Sequence, residues 1–463
     1  MNDTWTRRSP LSAAALEAFR LHFGETAIWP DSPLYENARK VWNAMIDRRP
    51  GLILMCSNVV DVVTAVRLAR AYDVDVAVRG GGHNIAGRGV CDDGIVIDLS
   101  RMKAIKVDPA RRVVEVQPGV TLGELDAATA PFDLAVPTGI APPTGIAGLT
   151  LGGGIGWLTH KYGLTCDNLL RCEVVTAEGA VLTADKHENP DLFWALRGGG
   201  GNFGIVTSFE FQAHPVGKIF GGIVLHPRDH ARGVLRVYRD LMAAAPRELT
   251  AYAGLMSAPD GTPVVAIAAC YCGDLDEGKA VLQPLREFGH PIMDMMDILP
   301  FVEMQKLGYQ PGNAPTHHYW RSVVVDELPD ALIDLMIDRT NLAASPLSGS
   351  FIQFMGGTAE RLPDEGTAFA HRQRRYSLGI EAQWSEKGEG DQHIAWARDL
   401  AKALEPFSKP GHILNFLNDE GESANRASFG ENYERLRAIK TRYDPGNFFH
   451  HNQNILPLGN GVR

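Results

Sequence analysis

The chain has 463 residues, 22% of them charged and 45% hydrophobic, a globular balance that excludes collagen, intrinsic disorder and a disulfide-stapled miniprotein. Two or three domains are expected at this length. Lys and Arg number 45 against 55 Asp and Glu, a net charge of −10, which argues against nucleic-acid binding because that needs a basic face.

No apolar run of secretory length follows the opening MNDTWTRRSP, so no signal peptide is expected. No stretch reaches the ~18 apolar residues of a membrane span, and a cytoplasmic protein is the default. Residues 51–79 read as strand, helix, strand. Asn58 can cap the helix, Val59, Val62, Val63 and Val66 give it an apolar stripe, and the second strand runs into Gly80-Gly81-Gly82-His83. Strands follow at 94–99 and 112–117, then a short helix capped by Thr121. Residues 137–168 are rich in Gly, Pro and Thr, the mark of a functional loop. A helix opened by Asn189-Pro190, a glycine run and a strand from Gly204 to Phe211 come next. After about residue 215 the pattern changes to alternating runs at 250–256, 264–272, 319–325, 351–355 and 376–384, with helices between them. That pattern predicts an antiparallel sheet with helices on one face, a second domain. A helix over 431–442 and a polar segment from Phe448 to Ile455, rich in His and Asn, close the chain. Of the six cysteines, Cys270 and Cys272 share one strand face and read as packed thiols. No metal site is expected.

Four glycine clusters lie between residues 80 and 204. Glycine lets main-chain N–H groups approach an anion closely, so several such loops suggest a large phosphate-bearing cofactor. The GxGxxG match at Gly199–Gly204 is not a Rossmann turn, because a helix precedes it and a strand follows.

Five segments carry a resemblance: Arg79-Gly80-Gly81-Gly82-His83-Asn84; Gly152 to Leu158; Lys161 to Asn168; Arg197 to Val206; and Tyr443 to Asn454. In order and spacing they resemble the berberine bridge enzyme family, FAD-linked oxidases of the vanillyl-alcohol-oxidase fold. The resemblance implies an α+β chain with an FAD domain of residues 1–215 and 416–463 and an antiparallel-sheet substrate domain of residues 216–415. It implies FAD contacts from Arg79, Gly80, Gly81, Gly82 and Asn84, and a covalent bond from His83 to the flavin 8α-methyl. Cys166 would bond flavin C6, although the nicotine-oxidase branch of the family lacks that link. Further cofactor contacts are implied at Thr144, Gly148, Gly152, Gly153, Gly154, Gly156, Tyr162, Asp167, Asn168, Gly201, Asn202, Gly204, Ile205, Val206, Asn452 and Asn454.

On the substrate side, family members place a tyrosine base beside an asparagine in a strand. Here Asn415 keeps the asparagine, but Phe416 stands where the tyrosine would and cannot take a proton. Glu381, Gln353, Tyr376, Trp320 and His450 are the other pocket candidates. A carboxylate at Glu381, buried beside a flavin, would have a raised pKa and could act as a base. The implied reaction moves a hydride from a small organic substrate (amine, alcohol, phenol or sugar-like) to flavin, with dioxygen reoxidising it to hydrogen peroxide. Thr144 falls where family oxidases carry Val and dehydrogenases Leu, and its size favours the oxidase. A dehydrogenase with another electron acceptor and a non-catalytic flavoprotein are the alternatives. The expected partners are the substrate and molecular oxygen, with a homodimer left open.

Overall fold

The computed structural model describes residues 11–307, 316–361 and 366–459. Residues 1–10, read above for a leader, lie outside them.

Leu52–Met55, the helix Val59–Ala71 and Val76–Arg79 follow in the expected order. Asn58 Oδ1 accepts from Asp61 N at 3.0 Å, and Val62, Ala65, Val66 and Ala69 bury one helix face. Both strands pair parallel with Ile95–Asp98 between them, as a strand–helix–strand crossover requires. Val76–Arg79 therefore ends at the carboxyl edge of a parallel sheet and delivers the Gly80–Asn84 loop there. That edge is where ligands of such sheets bind.

A second, antiparallel sheet runs in the order Ile105–Asp108, Val113–Val116, Ile205–Gln212, Leu169–Val175, Val181–Asp185. The helices Leu122–Thr129, Pro190–Leu196 and Tyr433–Tyr443 pack their apolar residues on it. Leu414 joins the same core, so the chain returns to this sheet after the third one is complete.

The third sheet is antiparallel and eight-stranded, with Lys218–Pro227, Pro263–Tyr271, Leu249–Ser257, Gly349–Phe354, Tyr376–Trp384 and His317–Val325 in spatial order. The helices Ala231–Ala243, Asp330–Thr340 and Gly390–Leu404 cover one face. Strand alternation sorts the rest. Tyr376, Leu378, Ile380, Ala382 and Trp384 point into that helical core, leaving Ser377, Gly379 and Glu381 on the opposite face. Cys270 and Cys272 are both buried free thiols in one cluster, as their spacing implied. Leu414–Phe416, expected in a strand, is a 3₁₀ turn. Among the described residues no helix is long and apolar enough to cross a membrane.

Candidate active site

A cavity of about 460 Å³ opens where the glycine loops meet the uncovered face of the large sheet. Its floor depends on two backbones touching. A Cβ on Gly81 would lie 2.4 Å from the Gly145 nitrogen, and one on Gly145 would lie 2.5 Å from that of Gly81. Any side chain at either position would drive the Gly80–Asn84 loop away from the 141–148 loop. Gly148 and Gly201 differ: a Cβ at either meets nothing within 4 Å, and both line the cavity.

The loop residues Gly80, Gly82, His83 and Asn84 line it, as do Thr144, Gly152, Gly204, Ile205 and Val206. Arg79 lines it too, but its guanidinium is turned to Asp98, with Nε 2.6 Å from Oδ2. The C-terminal segment closes one side. Asn452, on the wall, donates from Nδ2 to the Gly201 carbonyl at 3.2 Å. That segment is held by a fully buried ion pair, Lys440 Nζ to Asp444 Oδ2 at 2.7 Å. Lys440 also donates to the carbonyls of Asn202 and Phe449, while Asp444 accepts from the amides of Phe448 and Phe449. Asp444 thus fixes the turn at 444–449, and Lys440 ties that turn to the glycine turn through Asn202.

His83 Nδ1 lies 2.9 Å from the Gly81 carbonyl. Its Nε2 is buried with no hydrogen-bond partner among the described residues, and burial lowers its pKa, which favours the neutral ring. Trp42 backs it, with ring centroids 5.7 Å apart, and stacks on His318 at 4.0 Å. The Trp42 amide donates to the Gly82 carbonyl at 3.0 Å. Asn43 Nδ2 donates to the carbonyls of both Ile85 and His318.

At the sheet end, Glu381 and Gln353 line the cavity with Trp320, Asn415 and Phe416. Glu381 and Trp320 are direct cross-strand partners, and the neighbour on Glu381's other side is Gly349, which has no side chain to fill the space. The Glu381 carboxyl meets cavity space but is enclosed by protein, and burial alone raises it to about 7. Asn415 Nδ2 donates to the Leu149 carbonyl at 3.3 Å, and a Cβ on Gly152 would strike it at 2.6 Å. Asn415 Oδ1 and Asn452 Oδ1, like His83 Nε2, are buried without a partner among the described residues. Buried polar atoms are rarely left so. Three of them around one cavity fit a polar ligand such as FAD.

The remaining expected contacts are not on this wall. Gly153, Gly154 and Gly156 make a tight turn behind it, where a Cβ would strike Phe369, Thr165 and the Thr138 carbonyl respectively. Tyr162 stacks on His214 at 4.0 Å. Asn168 donates to the carbonyls of Tyr162 and Leu164. Asp167 is paired with the buried Arg372. Asn202 is fully buried and bonded to Gly199 and Gln453. Asn454 and His450 also lie off the wall.

Tyr376 is turned away, its ring against Phe354 in the helical core, because it has the opposite strand parity to Glu381. Cys166 is likewise a correction. It has no exposed surface and packs with Ile155, Leu164 and Phe369. Burial first, and Asp167 second, push its thiol well above the usual range. It offers neither access to the cavity nor a ready thiolate.

Trp42 and Ile140 line the cavity without having been singled out, and Phe449 and His451, read only as part of the Tyr443–Asn454 segment, line it too. Trp42 sits outside any periodic segment, so only its aromatic character could have flagged it.

Residues 50–185 match the FAD binding domain family, and residues 414–456 match the berberine and berberine like family. An FAD-linked oxidoreductase of Dictyostelium discoideum is 32% identical over 429 residues, covering 92% of this chain and 93% of the relative. The chain belongs to the berberine-bridge-enzyme-like FAD-linked oxidoreductases. Another member, (R)-6-hydroxynicotine oxidase of Paenarthrobacter nicotinovorans, is 32% identical over 452 residues, 93% of this chain and 96% of that one. The crystal structure of 6-hydroxy-D-nicotine oxidase from Arthrobacter nicotinovorans superposes with a TM-score of 0.86 at 30% identity, covering 93% of this chain and 97% of that one. The BBE-like 1 structure from Physcomitrella patens, at 24% identity, shares the fold with a TM-score of 0.87 over 96% of this chain and 99% of that one.

Proposed function

We propose that this enzyme is an oxidase that holds FAD covalently through His83 alone and oxidises a small organic substrate at the Glu381 end of the cavity. One observation carries the reading: a single cavity joins the unpartnered His83 Nε2 to an enclosed carboxyl at Glu381. FAD bound there would accept a hydride from a substrate carbon at N5 and pass the electrons to dioxygen, giving hydrogen peroxide.

The glycine loops would take the phosphates, with Asn84 and Asn452 as side-chain contacts. Gln353 and Asn415 orient the substrate, and Glu381 takes the proton its N–H or O–H releases. Phe416 cannot exchange a proton. Its ring lies 6.2 Å from that of Trp320, which in turn lies 5.3 Å from that of Trp42. These three rings give the substrate end an apolar wall suited to a planar or aromatic molecule. Thr144 on the wall is no larger than Val, which supports access for oxygen.

The division into an FAD domain of 1–215 and 416–463 and a substrate domain of 216–415 is part of the same proposal. It is supported by a core built wholly from residues 220–404. Ala368 and Leu414 are exceptions, because both pack with the FAD-side core.

The reading is tested by offering amines, phenols, alcohols and oligosaccharides to air-equilibrated enzyme. About one peroxide per substrate oxidised is expected for at least one class. Substrate-dependent bleaching of the flavin that persists in air, with no peroxide, would identify a dehydrogenase instead.

A further inference from the structure

We propose that Asp75, Cys91 and His451 form a binding site for one divalent transition-metal ion of the zinc class. The site borders the cavity, whose wall includes His451, and the proposal is independent of the flavin reading. His451 Nε2 is 2.6 Å from Asp75 Oδ2, and His450 Nε2 is 3.0 Å from Asp75 Oδ1. Ligand atoms of Asp75, Cys91 and His451 all lie within 4.8 Å of one another. One imidazole nitrogen, one carboxylate oxygen and one thiol sulfur, with a fourth position left for water, make a donor set of the kind that selects zinc-like ions over magnesium or calcium.

His450 holds the same carboxylate from its other oxygen. Its Nε2 lies 3.0 Å from Asp75 Oδ1 and its Nδ1 3.2 Å from the Asn447 carbonyl, so a residue outside the ligand set orients Asp75, as partners behind a metal ligand commonly do.

Cys91 is buried, and its Sγ lies 3.5 Å from the Ile95 carbonyl. An ion in the site would bind it as thiolate and displace its proton.

The three residues come from parts of the chain that are far apart in sequence. Asp75 immediately precedes the strand Val76–Arg79 that feeds the His83 loop, and Cys91 lies beyond that loop. The two histidines sit in the closing segment, whose Phe449, His451, Asn452 and Gln453 line the cavity. A bound ion would clip the closing segment to the strand behind the cofactor loop. It has no part in electron transfer.

The test uses flavin-loaded enzyme stripped with a chelator and titrated with cobalt(II), a spectroscopic stand-in for zinc. The site predicts ligand-field bands in the red, where oxidised flavin is transparent. They should saturate at one equivalent and be accompanied by a thiolate-to-cobalt charge-transfer band. Zinc(II) should abolish both. Cys91→Ser should remove the charge-transfer band, and His451→Ala should weaken cobalt binding at least about tenfold. If stoichiometric cobalt gives no red bands, or red bands without the sulfur band, the metal site is wrong. Survival of all bands in both variants would equally overturn it. The parent spectrum decides the matter even if a variant fails to fold.

Discussion

Glu381→Gln is expected to slow flavin reduction by ~10²–10⁴-fold and to remove an inflection near pH 7. The sign follows from burial. Enclosure raises the carboxyl to about 7, so below that pH it is protonated and cannot accept the substrate's proton. Reduction of the parent should therefore rise with pH through about 7 and level off above it. Gln keeps the shape and cannot take the proton, so its profile should be flat over that range. Stopped-flow reduction from pH 5.5 to 9 under argon, with the substrate in excess, reads this out. A loss below about threefold with the inflection retained would remove Glu381 as base. Hydride transfer from a neutral substrate would then be the better account.

The second large effect lies far from the chemistry. Asp444→Asn should destabilise the fold by ~3–5 kcal/mol, because it leaves the Lys440 ammonium fully buried opposite a neutral amide. Burial already pulls the pKa of Lys440 down, and only Asp444 opposes that. The same carboxylate accepts the amides of Phe448 and Phe449, so its loss also frees the segment that carries Asn452. Flavin content per purified chain should fall with it. Arg442→Ala is the control: it breaks the pair with Asp191, in which the arginine is 64% exposed. Such a surface pair is worth under ~1 kcal/mol. Urea midpoints of the two variants should differ accordingly, and equal midpoints would contradict the anchoring role of Asp444.

The same physics marks what was legible in the chain. The strand–helix–strand unit at 52–79 could be read because its periods are clean and Asn58 signals the cap. Tyr376–Trp384 appears where strict alternation put it, and the alternation grouped Glu381 with Ser377 and Gly379; that this face meets the cavity follows only from the helices that cover the other. That rule also excludes Tyr376, which is one residue out of phase with Ser377 and Glu381.

The glycine turns were legible as turns but not by role. Gly81 and Gly148 line the cavity, whereas Gly154 and Gly156 allow main chain and side chains to meet behind it. A run of glycines carries no mark of which side the ligand is on. Cys166 illustrates the same limit. Its neighbours in the chain suit the family pattern, yet the 3₁₀ turn Thr165–Asn168 turns the sulfur inward beside Arg372. The strand Lys218–Pro227 was hidden by Gly221 and Gly222 at its centre. A Cβ there would strike the carbonyls of Ala269 and Met295, at 2.5 and 2.1 Å respectively, so close packing put glycines where β-formers would have signalled a strand. The ion pair of Lys440 and Asp444 has ordinary i,i+4 spacing, and nothing local distinguishes it from a surface pair.

The central claim is a flavin tethered through His83 and not through Cys166. Intact-mass measurement of the acid-denatured chain tests it most directly. The parent and Cys166→Ala should each carry the mass of one FAD, and His83→Ala should run at the mass of the bare polypeptide with its yellow chromophore in the filtrate. A parent chain at bare mass, or a His83→Ala chain that keeps its flavin through denaturation, would contradict the account.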